Sequence, residues 1–339
     1  DEQVRRRAGR DRRAGVLRPA GGPRLGKLDL AAGEDRDVRR QARGRAADPE
    51  QLAGGGHEGA APLAIYCVHE GLVKLSKSTP EGRSIVIRLQ GKGEVIEKAS
   101  QLIRTNNQPF RILEAGCGEA QIIGSLVEAH GSPGGEQASI GIDRDLTALA
   151  VARKKYTSIR FLTGDFTDTV LLQSLGQFDL LLLVNALHHV FSDAYDPQLG
   201  EIDVLKGKAN LHISFTNLSQ AVKAGGYVIL FDGLETNIPL DTAIQVQFQT
   251  PEAMDKFKTF AREYQPFRIQ YQLNTDDIAT LSIRDFTRYV TKIIFLGKPI
   301  WEREHRESYQ YFTEAEMRKM FTQNGFDIQE FKLLSVDYD

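Results

Sequence analysis

From residue 110 onward, short runs with an apolar centre alternate with longer segments whose apolar residues recur every three to four positions. The runs are 111–115, 139–143, 159–163, 178–184 and 227–231. Each has the length of a strand, and residues 180–184 (Leu-Leu-Leu-Leu-Val) contain no polar position at all. Such a run suits a central strand buried on both faces. Residues 146–156 and 209–224 carry the helical period between runs. Strand, helix, strand repeated in this way predicts an α/β fold with a mostly parallel sheet and right-handed crossovers.

The first run leads into Glu114-Ala115-Gly116-Cys117-Gly118. Glycine lets the backbone approach a ligand closely and adopt positive φ at no steric cost. A strand, a Gly-x-Gly turn and a helix point to a nucleotide-like ligand over a helix N-terminus. Further polar groups stand at the ends of the later runs. They are Asp143 after the second, Gly164-Asp165-Phe166 after the third, and Asn185 followed by His188-His189 after the fourth.

This ordered set resembles the class I S-adenosylmethionine (SAM)-dependent methyltransferases, over roughly residue 95 to the C-terminus. The resemblance implies a Rossmann-like, doubly wound sheet with SAM as cofactor. It places Glu114, Ala115, Gly116, Cys117 and Gly118 around the methionine end of SAM. Asp143 falls on the ribose, Asp165 and Phe166 on the adenine, and Asn185 near the sulfonium. The Asn-x-x-His-His pattern at 185–189 is similar to that of a small-molecule subgroup related to quinone-biosynthesis enzymes. A dinucleotide-binding oxidoreductase is the rival, but its fingerprint needs a third glycine where this chain has Gln121.

Each residue also has a plainer reading. Asp143 is suited to capping the helix that starts near Leu146. Asp165 is suited to forming a turn after Gly164, and Cys117 to filling a tight bend. His188 and His189 are either packing groups or candidates for the general base that a hydroxyl acceptor would need. No Cys/His spacing suggests a metal, so none is expected. The activity implied is methyl transfer to a small, apolar or aromatic acceptor. The alternative is a SAM-sensing or inactive fragment of a fused regulator.

The chain has 339 residues and a formal net charge of −2, which gives no overall signature of a nucleic-acid binder. Two cysteines, Cys67 and Cys117, give no disulfide framework and fit a reducing, cytoplasmic setting. No apolar run reaches the roughly 20 residues of a membrane span. The chain starts at Asp1 rather than Met, which fits a fragment.

Residues 1–60 contain no aromatic, Ile, Met, Ser, Thr, Asn or Cys, and carry 14 basic against 10 acidic residues. Such a segment buries too little apolar surface to offset chain entropy and is expected to be a disordered tail. Apart from Lys27, every residue type in it can be written with codons starting in G or C, as expected of GC-rich DNA read out of frame. Residues 62–96 resemble part of the β-roll of cyclic-nucleotide-binding regulators, with strands at 65–75 and 84–89. The phosphate cassette of that family does not follow, so the expectation is a lone hairpin without its ligand site.

Residues 97–339 then form the methyltransferase domain. Residues 234–311 read as an insertion forming an α-helical lid, its helices expected at 251–264 and 276–295. Its aromatics (among them Phe257, Phe260, Tyr264 and Tyr289) are candidates for an apolar wall over the acceptor. Thr313 and Glu316 make a capping box, and a single strand at 326–336 leaves the family's final antiparallel strand unaccounted for.

Overall fold

The structure, a computed structural model, describes residues 28–30, 83–87, 92–106, 109–132, 134–135, 137–248, 250–274 and 278–331. The elements run β1 (Leu28–Leu30), β2 (Arg83–Ile87), α1 (Lys92–Thr105), β3 (Ile112–Ala115), α2 (Gln121–His130), β4 (Ser139–Asp143), α3 (Leu146–Lys155) and β5 (Arg160–Thr163). Then follow α4 (Thr169–Leu175), β6 (Phe178–Val184), α5 (Leu187–Ser192), β7 (Tyr195–Asp196), β8 (Glu201–Ile202), α6 (Val204–Gln220) and β9 (Val222–Phe231). The insertion contributes β10 (Ala243–Phe248), α7 (Pro251–Glu263), β11 (Tyr271–Leu273), β12 (Ile278–Ser282), α8 (Ile283–Lys292) and α9 (Trp301–Glu304). Helix α10 (Glu314–Gln323) and strand β13 (Phe326–Phe331) end the described chain.

The central sheet has the order β13-β2-β9-β6-β3-β4-β5, and every neighbouring pair is parallel. This is the parallel sheet that the apolar runs predict, in the Rossmann-like doubly wound form that the resemblance implies. Strand β6 is buried along its whole length. Leu180, Leu182 and Val184 join the core under α1, α2 and α3, while Leu181 and Leu183 join the core under α4, α5, α6 and α10. Side chains alternate across a strand, so a strand covered on both faces needs apolar residues in both registers.

The helix starts are chemically specified. Asp145, Asp168 and Asp203 cap α3, α4 and α6, Thr250 and Ser282 cap α7 and α8, and Thr313 with Glu316 forms the capping box of α10. Each such cap contributes about 1 kcal/mol. The cap of α3 is thus Asp145, not Asp143, which leaves Asp143 at the strand end for another task.

The insertion holds α7 as expected, but the second helix expected over 276–295 is shorter: residues 278–282 form β12 and α8 starts at Ile283, and a small sheet of order β1-β10-β12-β11 lies beside them. Its strands are three to six residues long, too short to stand out as apolar runs. Leu28–Leu30 pair with Val246–Phe248, the rest of residues 1–60 lying outside the described residues. Residues 62–82, with the first strand of the β-roll resemblance, lie outside them too. The second strand, β2, pairs in the central sheet between β9 and β13. Residues 332–339, where a further strand would have to begin, are likewise outside the described set.

Leu182 is fully buried where β6 meets α1 and α2. Leu182→Ala should cost about 2–5 kcal/mol of unfolding free energy. Leu205→Ala, at a position 83% exposed on α6, should stay within about 0.5 kcal/mol. Urea unfolding of the two variants checks the contrast.

Candidate active site

The C-terminal ends of β3, β4, β5 and β6 open onto one cleft of about 1170 Å³. Ligands of open parallel sheets bind at this edge, outside the carboxyl ends of the strands. The turn after β3 is tied to β4 by hydrogen bonds from the Gly116 and Cys117 N–H groups to the Ile142 carbonyl (2.9 and 3.0 Å). Gly116 and Gly118 have φ of +75° and +51°, and Ala120 takes the same left-handed region at +59°. A Cβ on Gly116 would lie 2.9 Å from the Ala186 Cβ. A Cβ on Gly118 would meet nothing within 4 Å, so this glycine keeps backbone open to the cleft.

Two carboxylates hold the turn. Glu114 is buried, and its Oε2 accepts from the Ile123 N–H at 3.1 Å. The strand thereby supplies the cap that Ala120, lacking a polar side chain, cannot give α2. Asp143 Oδ2 accepts from the Gly118 N–H at 2.6 Å and Oδ1 from the Asp145 N–H at 2.8 Å. Asp143 therefore clamps the glycine turn to the end of β4 and still lines the cleft. Asp165 Oδ1 accepts from the Thr167 N–H (2.8 Å) and hydroxyl (2.7 Å), the turn-forming use of this residue.

Of the residues singled out in the sequence, Glu114, Gly116, Cys117, Gly118, Asp143, Asp165, Phe166, Asn185 and His189 all line this cleft. Ala115 is fully buried in β3 and His188 is buried within α5, so neither does. Asn185 sits at φ +52°, and its N–H bonds the Phe231 carbonyl at 2.7 Å. Left-handed backbone suits Asn better than most side chains. It turns the exposed Asn185 side chain out of the sheet where β6 passes into α5.

The other end of the cleft is charged. His188 Nδ1 lies 2.9 Å from Asp232 Oδ1, and Asp232 Oδ2 accepts the N–H groups of Leu187 and His188. Burial opposes charge on the His188 ring, but the adjoining Asp232 carboxylate outweighs it and raises the pKa. His189 Nδ1 lies 3.1 Å from Glu307 Oε1. Burial opposes charge on Glu307 as well, yet the two imidazoles beside it hold its pKa below the usual carboxylate range. Lys292 is wholly buried, pairs with Glu304 Oε2 at 2.7 Å and stands 3.5 Å over the Tyr309 ring. Burial lowers its pKa. Ile300 and Arg303 also line the cleft, as do Asn210, Ile213 and Ser214 of α6.

Asp232, Lys292, Arg303 and Glu307 escaped the sequence reading. They come from the segment between β9 and α10, far along the chain from His188 and His189, and no spacing rule connects them. The aromatic wall expected of the insertion is corrected by the packing. Phe257, Phe260, Tyr264 and Tyr289 are buried against one another and Trp301, and none lines the cleft. Their helical spacing marks a core. The insertion reaches the cleft through Ile300, Arg303 and Glu307 instead.

Residues 112–205 match the family model described as a methyltransferase domain. No curated protein matches the chain. Among solved structures, the chain is similar to a TehB-like SAM-dependent methyltransferase from Corynebacterium glutamicum. Identity there is 17%, covering 54% of this chain and 84% of that one, with a TM-score of 0.27. It is similar to a sugar N-methyltransferase from Streptoalloteichus at 18% identity, covering 56% of this chain and 66% of that one, with a TM-score of 0.32. It is also similar to the magnesium protoporphyrin IX methyltransferase of Synechocystis with bound S-adenosylhomocysteine (SAH). Here identity is 14%, the coverage 69% and 72%, and the TM-score 0.33. Residues 112–205 are thus similar to a methyltransferase domain, over less than half of the chain. No helix among the described residues is long and apolar enough to cross a membrane.

Burial, aided by the neighbouring carboxylates of Glu114 and Asp143, pushes the Cys117 thiol far above its ordinary pKa. A thiol held protonated is a poor nucleophile. Cys117 should therefore resist iodoacetamide at pH 8 in the folded chain and react on unfolding, as peptide mass mapping would read out.

Proposed function

We propose that this chain transfers the methyl group of SAM to a small acceptor with an apolar body and a proton-bearing polar group. One observation carries the reading: the glycine turn, the strand-end acids and the charged corner at His189, Arg303 and Glu307 share a single cleft. Its volume of about 1170 Å³ exceeds the roughly 300–1,000 Å³ of ordinary small-ligand pockets, which leaves room for cofactor and acceptor together.

The residues present fit SAM. Gly116, Cys117 and Gly118 offer open backbone for the amino-acid end, with buried Glu114 fixing the helix behind them and Ala115 the strand. Each Asp143 oxygen already accepts one N–H bond, and a carboxylate oxygen has a second acceptor site. Asp143 can thus take the ribose hydroxyls without releasing the turn. Asp165 and half-buried Phe166 would hold the adenine, and Asn185 would stand near the reacting centre. When bound, SAM supplies an activated methyl group on a sulfonium leaving group. The protein then needs to orient an acceptor and exclude water, and positioning of this kind lowers a barrier by up to roughly 7–11 kcal/mol.

The acceptor site in this reading lies beside Val190, Ile213 and Ile300, which supply apolar surface, and its polar group points to His189 and Glu307. Of the two histidines proposed as catalytic, only His189, with 28% of its side chain exposed, can touch an acceptor. His188, at 2%, acts through its neighbours.

Asp143→Ala should weaken SAM binding ten- to a hundredfold, since hydrogen bonds to a charged acceptor contribute about 1.5–3 kcal/mol each. Titration calorimetry on a variant with a cooperative melt measures it; unchanged affinity would remove Asp143 from the site. Transfer itself is tested by incubating the purified chain with methyl-labelled SAM and a small-molecule extract. The expected result is label in a low-mass product identified by mass spectrometry. SAM binding without label in any product would instead mean that the cleft only senses SAM.

A further inference from the structure

We propose that His188, His189 and Glu307 form a binding site for a divalent transition-metal cation at the acceptor end of the cleft. Each offers one ligand atom, and these atoms lie within 4.8 Å of one another. In a tetrahedral site, metal–ligand bonds of about 2.0–2.2 Å hold ligand atoms roughly 3.3–3.6 Å apart, so side-chain rotations of about 1 Å at the longest edge would close the triangle.

Two observations favour a cation there. Asp232 is fully buried and accepts from backbone N–H groups, so it accepts the hydrogen bond of a His188 Nδ1–H and leaves Nε2 turned toward Glu307. A carboxylate behind an imidazole in this way is how proteins orient metal-binding histidines. Second, Glu307 is nine-tenths buried and its Oε2 has no hydrogen-bond partner. His188 Nε2 stands 3.6 Å away and Lys292 Nζ 3.9 Å away, both beyond hydrogen-bonding distance. A buried, unsatisfied carboxylate oxygen is costly unless something fills the gap.

Two imidazoles and one carboxylate suit Zn²⁺, Mn²⁺, Fe²⁺ or Co²⁺ and leave coordination positions open. Because His189 and Glu307 line the cleft, an open position would face the acceptor. A hydroxyl oxygen bound there would lose its proton more readily, as metal-bound water does. The site itself is independent of methyl transfer; its role in holding the acceptor rests on the proposed function.

The test uses the tag-free full chain, stripped with chelator and titrated with Zn²⁺ and Mn²⁺ by calorimetry. Co²⁺ serves as a spectroscopic probe. The expected result is one equivalent bound with micromolar or tighter affinity for Zn²⁺, and visible ligand-field bands with Co²⁺. Glu307→Gln and His189→Ala should each weaken Zn²⁺ binding at least tenfold and alter the Co²⁺ bands. His212→Ala, a histidine packed on Phe312, should change neither. Failure to bind in the wild-type chain, or equal binding in all variants, would overturn the site. SAM titration of the same samples separates the two readings. A chain that binds SAM but no metal contradicts only the metal site, and one that binds metal but transfers methyl groups equally well after chelation contradicts only its role in holding the acceptor.

Discussion

The bond between the Asp143 carboxylate and the Gly118 N–H, 2.6 Å long, is the constraint on which the cleft depends. Residues 116, 118 and 120 all occupy left-handed backbone, and for Ala120 that region costs roughly 1–2 kcal/mol. Such a turn persists only where its surroundings hold it. Asp143 holds it from β4 and Glu114 from β3, the latter by capping α2 from behind. The acids sit at strand ends because only there can a carboxylate be anchored in the sheet and still reach backbone outside it. Rigid backbone at the glycine turn and acceptor oxygens at the strand ends are therefore one device.

At the opposite end the constraint is electrostatic. Burying Lys292, Glu304, Glu307, His188 and Asp232 together is expensive, and pairing alone seldom recovers the full cost of desolvation. Pairing is close to complete for Lys292, which has Glu304 at 2.7 Å and the Tyr309 ring beneath it. It is incomplete for Glu307. Sites kept for function rather than stability show this kind of local imbalance. The insertion that supplies Glu307 and Arg303 is anchored by buried aromatics continuous with the core on one face of the central sheet, so these charged groups project from a firm base.

Much of this was legible before the structure. The central sheet follows from apolar runs such as 180–184, because a strand covered on both faces has no polar register. Gly116 and Gly118 announced the turn because left-handed backbone has few alternatives to glycine. Asp143 was legible as a site residue but not in its details, since its partner is a backbone N–H with no sequence signature; the helix cap belongs to Asp145, two residues on. The charged corner was half visible. His188 and His189 stood out as a pair, while Glu307 and Asp232 meet them only through tertiary packing. The aromatics of the insertion were read as a wall for the acceptor and are its core, because helical spacing alone does not say what a face is buried against.

The central claim is that one cleft holds SAM along the strand ends and the acceptor at the histidine corner. A crystal structure of the chain with bound SAH tests it most directly. The account expects the ribose hydroxyls on Asp143, the adenine against Phe166, the amino-acid end over residues 116–118, and the sulfur facing the side of the cleft that holds Asn185 and His189. SAH bound elsewhere, or bound with its ribose away from Asp143 and its sulfur away from that corner, would contradict it.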